Sequence, residues 1–369
     1  MGYLLGRELL GRAAIVDGDL RIVEASRRNR NFKVMGEPDR SYLLKQGLDA
    51  DARATVAYEA AVYRFLEDFP DAGDFRCHVP RYVDYDAQEG ILILELLNDS
   101  QDFREYHTRQ GHFSITLAAA LGSCLSKLHR SAAAALPRVR ESGLARPKPW
   151  VLSLHQPGLD VFRRTSNANL HLIRTVQQTA EISRVLAELR ESWRVDSLIH
   201  NDIKWDNCLV RAPSTLRHKF EFKLIDWEFA TVGDSAWDAG SVFSSYLSFW
   251  LSSVPVSGGE PPDRFLELAR YPLERMQPAI RAYWRNYVLG MGFGEAEAQE
   301  RLFRAVRYAA ARLVQTAFEQ LQYSTNLTGN AICLLQLSAN IMQRPREAIA
   351  HLLGISLQAE GRQHYERVS

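Results

Sequence analysis

The chain has 369 residues, a net charge of +1, 46% hydrophobic and 24% charged residues. That length can bury a large core, as two domains or one bilobal unit, and the near-zero charge gives no electrostatic case for nucleic acid or an anionic membrane as partner. Four scattered cysteines, Cys77, Cys124, Cys208 and Cys333, show no C-x-x-C spacing, which argues against a zinc site or disulfide framework and fits a reducing cytosol.

The segment Met1-Gly2-Tyr3-Leu4-Leu5-Gly6-Arg7 lacks a secretory apolar region, and Gly6 stands where a myristoylation signal needs Ser or Thr. A cytoplasmic location is therefore expected. Short β candidates follow at residues 20–23, 31–35 and 42–46, bounded by polar turns. A second pair is read at residues 81–85 and 91–96, with Gln88-Glu89-Gly90 as the turn. Between the two groups Tyr58, Val62, Phe65, Leu66 and Phe69 recur at helical spacing. The expectation is a small antiparallel sheet with one helix packed on it.

After Asn98-Asp99-Ser100 the pattern becomes mainly helical. Leu117, Leu121, Leu125 and Leu128 mark one amphipathic helix, and Ile182, Val185, Leu186, Leu189 and Trp193 mark another. Residues 131–150 read as a connector rich in Ala, Pro and Arg. Residues 239–259 carry no charge, but seven serines and Pro255 lie among them, so a buried helix is expected rather than a membrane span. Helical periodicity dominates from Asp263 onward.

One β element interrupts the helical half. Cys208-Leu209-Val210-Arg211 and Phe220-Glu221-Phe222-Lys223-Leu224-Ile225 read as a hairpin with its turn through residues 213–215. Its ends are neighbours in an antiparallel pair, so Asn207 at the start and Asp226 at the exit converge. Upstream lies His200-Asn201-Asp202-Ile203-Lys204-Trp205-Asp206-Asn207, an H-x-D-x-x-x-x-N pattern. Phosphoryl transfer needs the phosphates held, their charge neutralised and the acceptor hydroxyl aligned. Mg²⁺ takes oxygen ligands and keeps several waters, so Asn207, Asp226 and substrate phosphates would suffice as its ligands. Asp202 would orient or deprotonate the acceptor hydroxyl, and Lys204 would offset charge on the moving phosphoryl group. His200 is read as structural and Asp206 as a loop group facing solvent.

These motifs resemble the aminoglycoside phosphotransferase and choline kinase branch of the protein-kinase-like superfamily. The resemblance rests on His200, Asp202 and Asn207, on Ile225-Asp226-Trp227-Glu228, and on Gly233-Asp234-Ser235-Ala236-Trp237-Asp238. It implies an α+β, bilobal protein-kinase-like fold. Residues 1–97 would be the nucleotide-binding N-lobe, an antiparallel sheet plus helix. Residues 98–369 would be a mainly helical C-lobe with catalytic loop, metal site and acceptor pocket. It also implies ATP or GTP as co-substrate, with Lys45 on the nucleotide phosphates and Glu59 holding Lys45. The backbone at Glu95 and Leu97 would meet the base. Ser26, Asn29 and Asn31 would supply donors in a phosphate loop without glycine.

The acceptor is left open between a hydroxyl-bearing small molecule and a Ser or Thr hydroxyl of a peptide. From Trp227 to Ser369 there are 14 acidic and 13 basic residues, so nothing demands a cationic substrate. Lys204, two residues after the catalytic Asp, is the pattern of Ser/Thr protein kinases, and kinases of this branch occur in ribosomal-peptide biosynthesis, where phosphorylation prepares dehydration. A polar insertion at residues 160–178 would suit an extended substrate. A nucleotide-binding pseudokinase is the remaining alternative.

Overall fold

The computed structural model describes residues 2–11, 20–25, 30–36, 40–69, 75–162, 165–211, 220–255 and 265–357. Short segments rich in β-branched, aromatic and other apolar residues in the first part of the chain form five strands: β1 (Arg21–Glu24), β2 (Arg30–Met35), β3 (Tyr42–Gln46), β4 (Tyr82–Asp86) and β5 (Ile91–Glu95). They form one antiparallel sheet in the order β1-β2-β3-β5-β4. Successive side chains point to opposite faces of a strand. One face sends Val34, Tyr42, Leu44, Ile91 and Ile93 into a small cluster closed by Leu4 of a short helix α1 (Gly2–Gly6) and by Leu10. On the other face Lys45 stands between its cross-strand partners Asn31 and Leu92.

Helix α2 (Ala50–Asp68) covers that second face. It begins where the Asp49 carboxylate accepts from the Ala52 amide at 2.8 Å, satisfying a donor that the first turn cannot pair internally. Val56, Ala60, Val62, Tyr63 and Leu66 are its buried stripe, and Glu59 lies within it at 0% exposure.

The rest is mainly helical, with five short strands. In chain order come β6 (Gln101–Asp102), α3 (Phe103–Gln110), α4 (Ile115–Ala134), α5 (Leu136–Glu141), α6 (Leu159–Phe162), α7 (Asn167–Gln178) and α8 (Ala180–Glu191). Then follow β7 (Ser197–Ile199), β8 (Cys208–Arg211), β9 (Glu221–Leu224), β10 (Thr231–Gly233) and α9 (Ser235–Ser252). Helices α10 (Leu273–Met291), α11 (Glu295–Gln320), α12 (Gly329–Gln343) and α13 (Pro345–Glu347) follow, the last continued by a π-helical turn at Ala348–Leu352. Strands β6-β8-β9 form one sheet and β10-β7 a second, all antiparallel.

Helix α9, the charge-poor stretch, is buried on nearly every side by other helices. No described helix is long and apolar enough to cross a membrane. Helix α9 packs tightly on α11, where a Cβ on Gly240 would overlap the backbone of Ala305. Only glycine permits that spacing. The connector expected at residues 131–150 is partly helical: Pro137 sits in the first turn of α5, where no amide donor is needed, and Val139 is fully buried. The three-residue strands β7 and β10 had no readable alternation in the sequence.

Candidate active site

The hairpin β8–β9 has Cys208 opposite Leu224, and the Ile225 amide donates to the Asn207 carbonyl at 3.0 Å. That bond extends the ladder by one step, so Asn207 and Asp226 emerge side by side, as their spacing predicts. Asp226 adopts a left-handed conformation, φ 69° and ψ 59°, a region that non-glycine residues occupy at a cost. A short helical turn at Trp227–Phe229 follows. Asn201, at φ 68°, makes a comparable turn in the loop carrying Asp202.

Lys45 reaches this point from the sheet. Its Nζ lies 2.7 and 3.0 Å from the two Glu59 oxygens and 2.8 Å from Asp226 Oδ1. Glu59 also accepts from the Trp227 amide at 3.3 Å. Burial works against the Lys45 charge, but the Glu59 and Asp226 carboxylates outweigh it and raise its pKa. For Glu59 burial dominates and pushes the carboxyl up, with Lys45 opposing. Burial also raises Asp226, yet Lys45 more than reverses it and the net shift is downward. Lys45 favours the charged form of both carboxylates, which oppose each other, in a site sheltered from water.

Asp202, 6% exposed, is gripped from three sides. Lys204 Nζ and Asn207 Nδ2 donate to Oδ2 at 2.7 and 3.1 Å, and Arg312 Nη2 donates to Oδ1 at 3.2 Å. Asn207 Nδ2 also bonds the Asp202 carbonyl at 2.9 Å. Both bonds use the amide nitrogen, which leaves the amide oxygen for a hard cation. His200 Nε2 lies 2.9 Å from the Ile225 carbonyl, and Nδ1 accepts from the Asp202 amide at 3.3 Å. That pattern requires the Nε2–H tautomer and makes His200 a brace between catalytic loop and hairpin. Asp238 of α9 accepts from the amides of His200 and Asn201 at 2.7 and 2.9 Å. His129 of α4 supports Asp238 at 3.2 Å and meets the Tyr287 hydroxyl at 2.9 Å.

A cavity of about 290 Å³ adjoins these groups. Met35 and Leu43 line it from the sheet, Leu209 and Ile225 from the hairpin, and Lys45, Asp226, Glu95 and Leu97 are joined at its edge by the polar stretch Asn98, Asp99 and Ser100 and by Asp102 and Glu105. The Glu95 side chain turns aside, to Lys223 at 2.8 Å and the Arg81 amide at 3.0 Å. Asn31 neighbours Lys45 across the sheet. Ser26 and Asn29, assigned with it to the phosphate loop, lie outside the described residues. Asp206 bonds Arg104 at 3.0 Å instead of standing alone in solvent.

The model of the phosphotransferase enzyme family, APH, matches residues 19–272. The chain belongs to this family. No curated protein sequence matches it significantly. A choline/ethanolamine kinase family protein from Mesorhizobium loti is a similar solved structure, with 16% identity, 96% of this chain and 100% of that one covered, and a TM-score of 0.51. Choline kinase from Cryptosporidium parvum gives 13% identity, 94% coverage of both chains and 0.54. Amicoumacin kinase hAmiN, solved with AMP-PNP, Ca²⁺ and Ami, gives 14%, 92% and 96%, and 0.50. At such identities the likeness is one of fold, and it bears out the bilobal kinase-like architecture. Family membership makes this APH protein a kinase-type phosphotransferase.

Two site residues escaped the sequence reading. His129 lies in an ordinary amphipathic helix and gives no local signal. Arg312 belongs to a polar line Arg304, Tyr308, Arg312, Gln315 and Glu319 at i+3 and i+4 steps along α11. A polar line between apolar faces was the available hint. Helix α7, within the insertion at residues 160–178, packs near the end of α11: the Ala168 amide donates to the Ser324 carbonyl and Ser166 Oγ to that of Leu321.

Proposed function

We propose that this APH phosphotransferase moves the γ-phosphoryl group of ATP or GTP to the hydroxyl of a small molecule, with Mg²⁺. The contact of Lys45 with Asp226, 2.8 Å across the cleft and backed by Glu59, carries this reading. It sets a buried cation and a metal-type carboxylate at the inner edge of the cavity, where nucleotide phosphates would lie. Residues 1–97 supply the nucleotide half of the site and residues 98–369 the reacting groups.

Asn207 and Asp226 fit Mg²⁺ in kind, as an amide oxygen and a carboxylate. Among the described residues no cluster of three or more His, Cys, Asp or Glu side chains forms a cage. Such a donor pair suits an ion completed by phosphates and water rather than a permanent structural metal. When bound, the ion would neutralise phosphate charge. The solved complex of hAmiN with AMP-PNP and Ca²⁺ supports a nucleotide and a divalent cation in this fold. Lys45 binds the α- and β-phosphates, Glu59 fixes Lys45, and backbone groups at Glu95 and Leu97 receive the base between the apolar walls. Asn31, with Ser26 and Asn29, covers the phosphates. Asp202 aligns the acceptor hydroxyl and takes up its proton, and Lys204 offsets charge on the transferred group.

A peptide Ser or Thr hydroxyl is a second acceptor class. The 2.7 Å contact of Lys204 with Asp202 supports it, because that lysine is the protein-kinase feature of the loop. Incubating the full chain with Mg²⁺, ATP or GTP, and pooled hydroxyl compounds and Ser/Thr peptides tests both. Mass spectrometry should show one phosphoryl group gained by a small molecule. Gain by peptides alone moves the reading to the second class, and no gain with nucleotide still bound favours a pseudokinase.

A further inference from the structure

The three donors on Asp202 differ in origin. Lys204 and Asn207 belong to the same loop and both serve Oδ2, while Arg312 comes from α11, 110 residues away, and is the donor on Oδ1. A carboxylate offers about four lone-pair directions. Among the described residues, three are used, and the open one is on Oδ1, beside Arg312.

Two buried arginines on α11 invite comparison. Arg304 bonds Asp234, Ser192 and Tyr308, which ties α11 to the end of α8 and the start of α9. Arg312 is 4% exposed, and its carboxylate partner is Asp202. Its other support is the Trp237 ring, 5.6 Å from Cζ, and its Nη1 is buried without a partner. Burying a guanidinium is costly unless it is paired, and a purely structural arginine here would gain by pairing Nη1 as Arg304 pairs its own groups.

We propose that Arg312 is a positioning residue for phosphoryl transfer: from α11 it fixes the Asp202 carboxylate so that the open lone pair of Oδ1 faces the acceptor hydroxyl. This rests on the phosphotransferase reading above. In the step, the acceptor oxygen bonds to the γ-phosphorus and the bond to the β,γ-bridging oxygen breaks. Nucleoside diphosphate leaves, and the hydroxyl proton passes to Oδ1. Arg312 touches none of the reacting atoms and acts through the orientation of Asp202.

The full chain, its Arg312→Met and Arg312→Lys variants, and Mg·ATP form the test. Turnover is read with water and with any acceptor that gains mass in the assay above; Mg·ATP affinity and the unfolding midpoint are measured alongside. Arg312→Met should lower kcat about 10²-fold, the scale of an approximately 1 Å misplacement of a reacting group. KM and Kd for Mg·ATP should stay within about twofold, since the fault lies after nucleotide binding. Arg312→Lys, which keeps the charge, should restore part of kcat. An unchanged kcat in Arg312→Met overturns the proposal. So does a parallel fall in stability, affinity and kcat with no advantage for Lys, which marks a structural role. Arg312→Gln replaces Arg312→Met if the latter does not fold, and failure of both to fold also overturns it. A wild-type protein that binds Mg·ATP but transfers to nothing, water included, refutes the phosphotransferase reading itself, and this inference with it.

Discussion

Replacing Lys45 by Met removes the cation from a fully buried carboxylate and leaves the chain length of the side chain nearly intact. Asp226 is about one-third exposed, 35% by side chain, so water can replace Lys45 there. Glu59 at 0% exposure has no such substitute. It must stay ionised with only the Trp227 amide as donor, or take up a proton. Taking up a proton at pH 7, against an ordinary carboxyl value of 4.5, spans two and a half pH units, about 3.4 kcal/mol. That agrees with the roughly 3–5 kcal/mol lost when one member of a buried ion pair is removed, and at about 2 °C per kcal/mol for a large domain it lowers the midpoint by roughly 6–10 °C. Because the folded variant then holds a proton that the unfolded chain releases above pH 4.5, its deficit should shrink as pH falls from 7 towards 5. Lys45→Met/Glu59→Leu should recover most of the loss, as hydrophobic replacements of buried pairs do, yet stay inactive. Thermal unfolding at pH 7 and pH 5 checks this. A single variant melting within about 2 °C of the parent at pH 7, or a double variant no more stable than the single, refutes the view that Glu59 depends on Lys45.

Asp226→Asn should weaken Mg·ATP binding in a nucleotide titration and abolish transfer, whereas Asp202→Asn should abolish transfer and spare binding. Asp238→Ala leaves the amides of His200 and Asn201 without their acceptor, at about 1–3 kcal/mol each; denaturant unfolding should show the loss, and kcat should fall more than nucleotide affinity. His107 is fully buried, stacks on Trp205 at 4.7 Å, and burial lowers its pKa to about 4. A depressed folded value means the unfolded chain binds the proton first, so this stability is complete above pH 6.5 and is lost as pH falls towards 4, by up to about 3 kcal/mol. The unfolding midpoint of His107→Phe should therefore fall less between pH 7 and pH 5 than that of the parent.

The parts of the site carried on continuous sequence were legible because their geometry is local. The hairpin places Asn207 and Asp226 together by register alone, and alternation is enough to detect a hairpin. Strands β2, β3 and β5 were readable as short apolar segments between polar turns, to within a residue or two at each end, whereas the periodicity read from Tyr58 to Phe69 marked only the second half of helix α2. The pairing of Lys45 with Glu59 came from the family resemblance; spacing showed only a carboxylate on an apolar stripe. Helix α5 was missed because Pro137 and its arginines mask the one buried position, Val139.

Contacts made between helices distant in sequence were not legible. Asp238 and Arg312 come from α9 and α11 and meet the catalytic loop only once those helices pack, and His129 of α4 acts on it only through Asp238. Gly240 shows how narrowly that packing is set: the α9–α11 distance tolerates no side chain there. Both Asp238, which holds the loop backbone, and Arg312, which holds the Asp202 carboxylate, depend on that distance. A lengthening of it would move the base relative to Lys45 and Asp226, which the sheet and the hairpin position independently. The helical packing far from the nucleotide cavity therefore controls where the acceptor hydroxyl is met, while the spacing of Lys45, Glu59 and Asp226 controls where the phosphates are held.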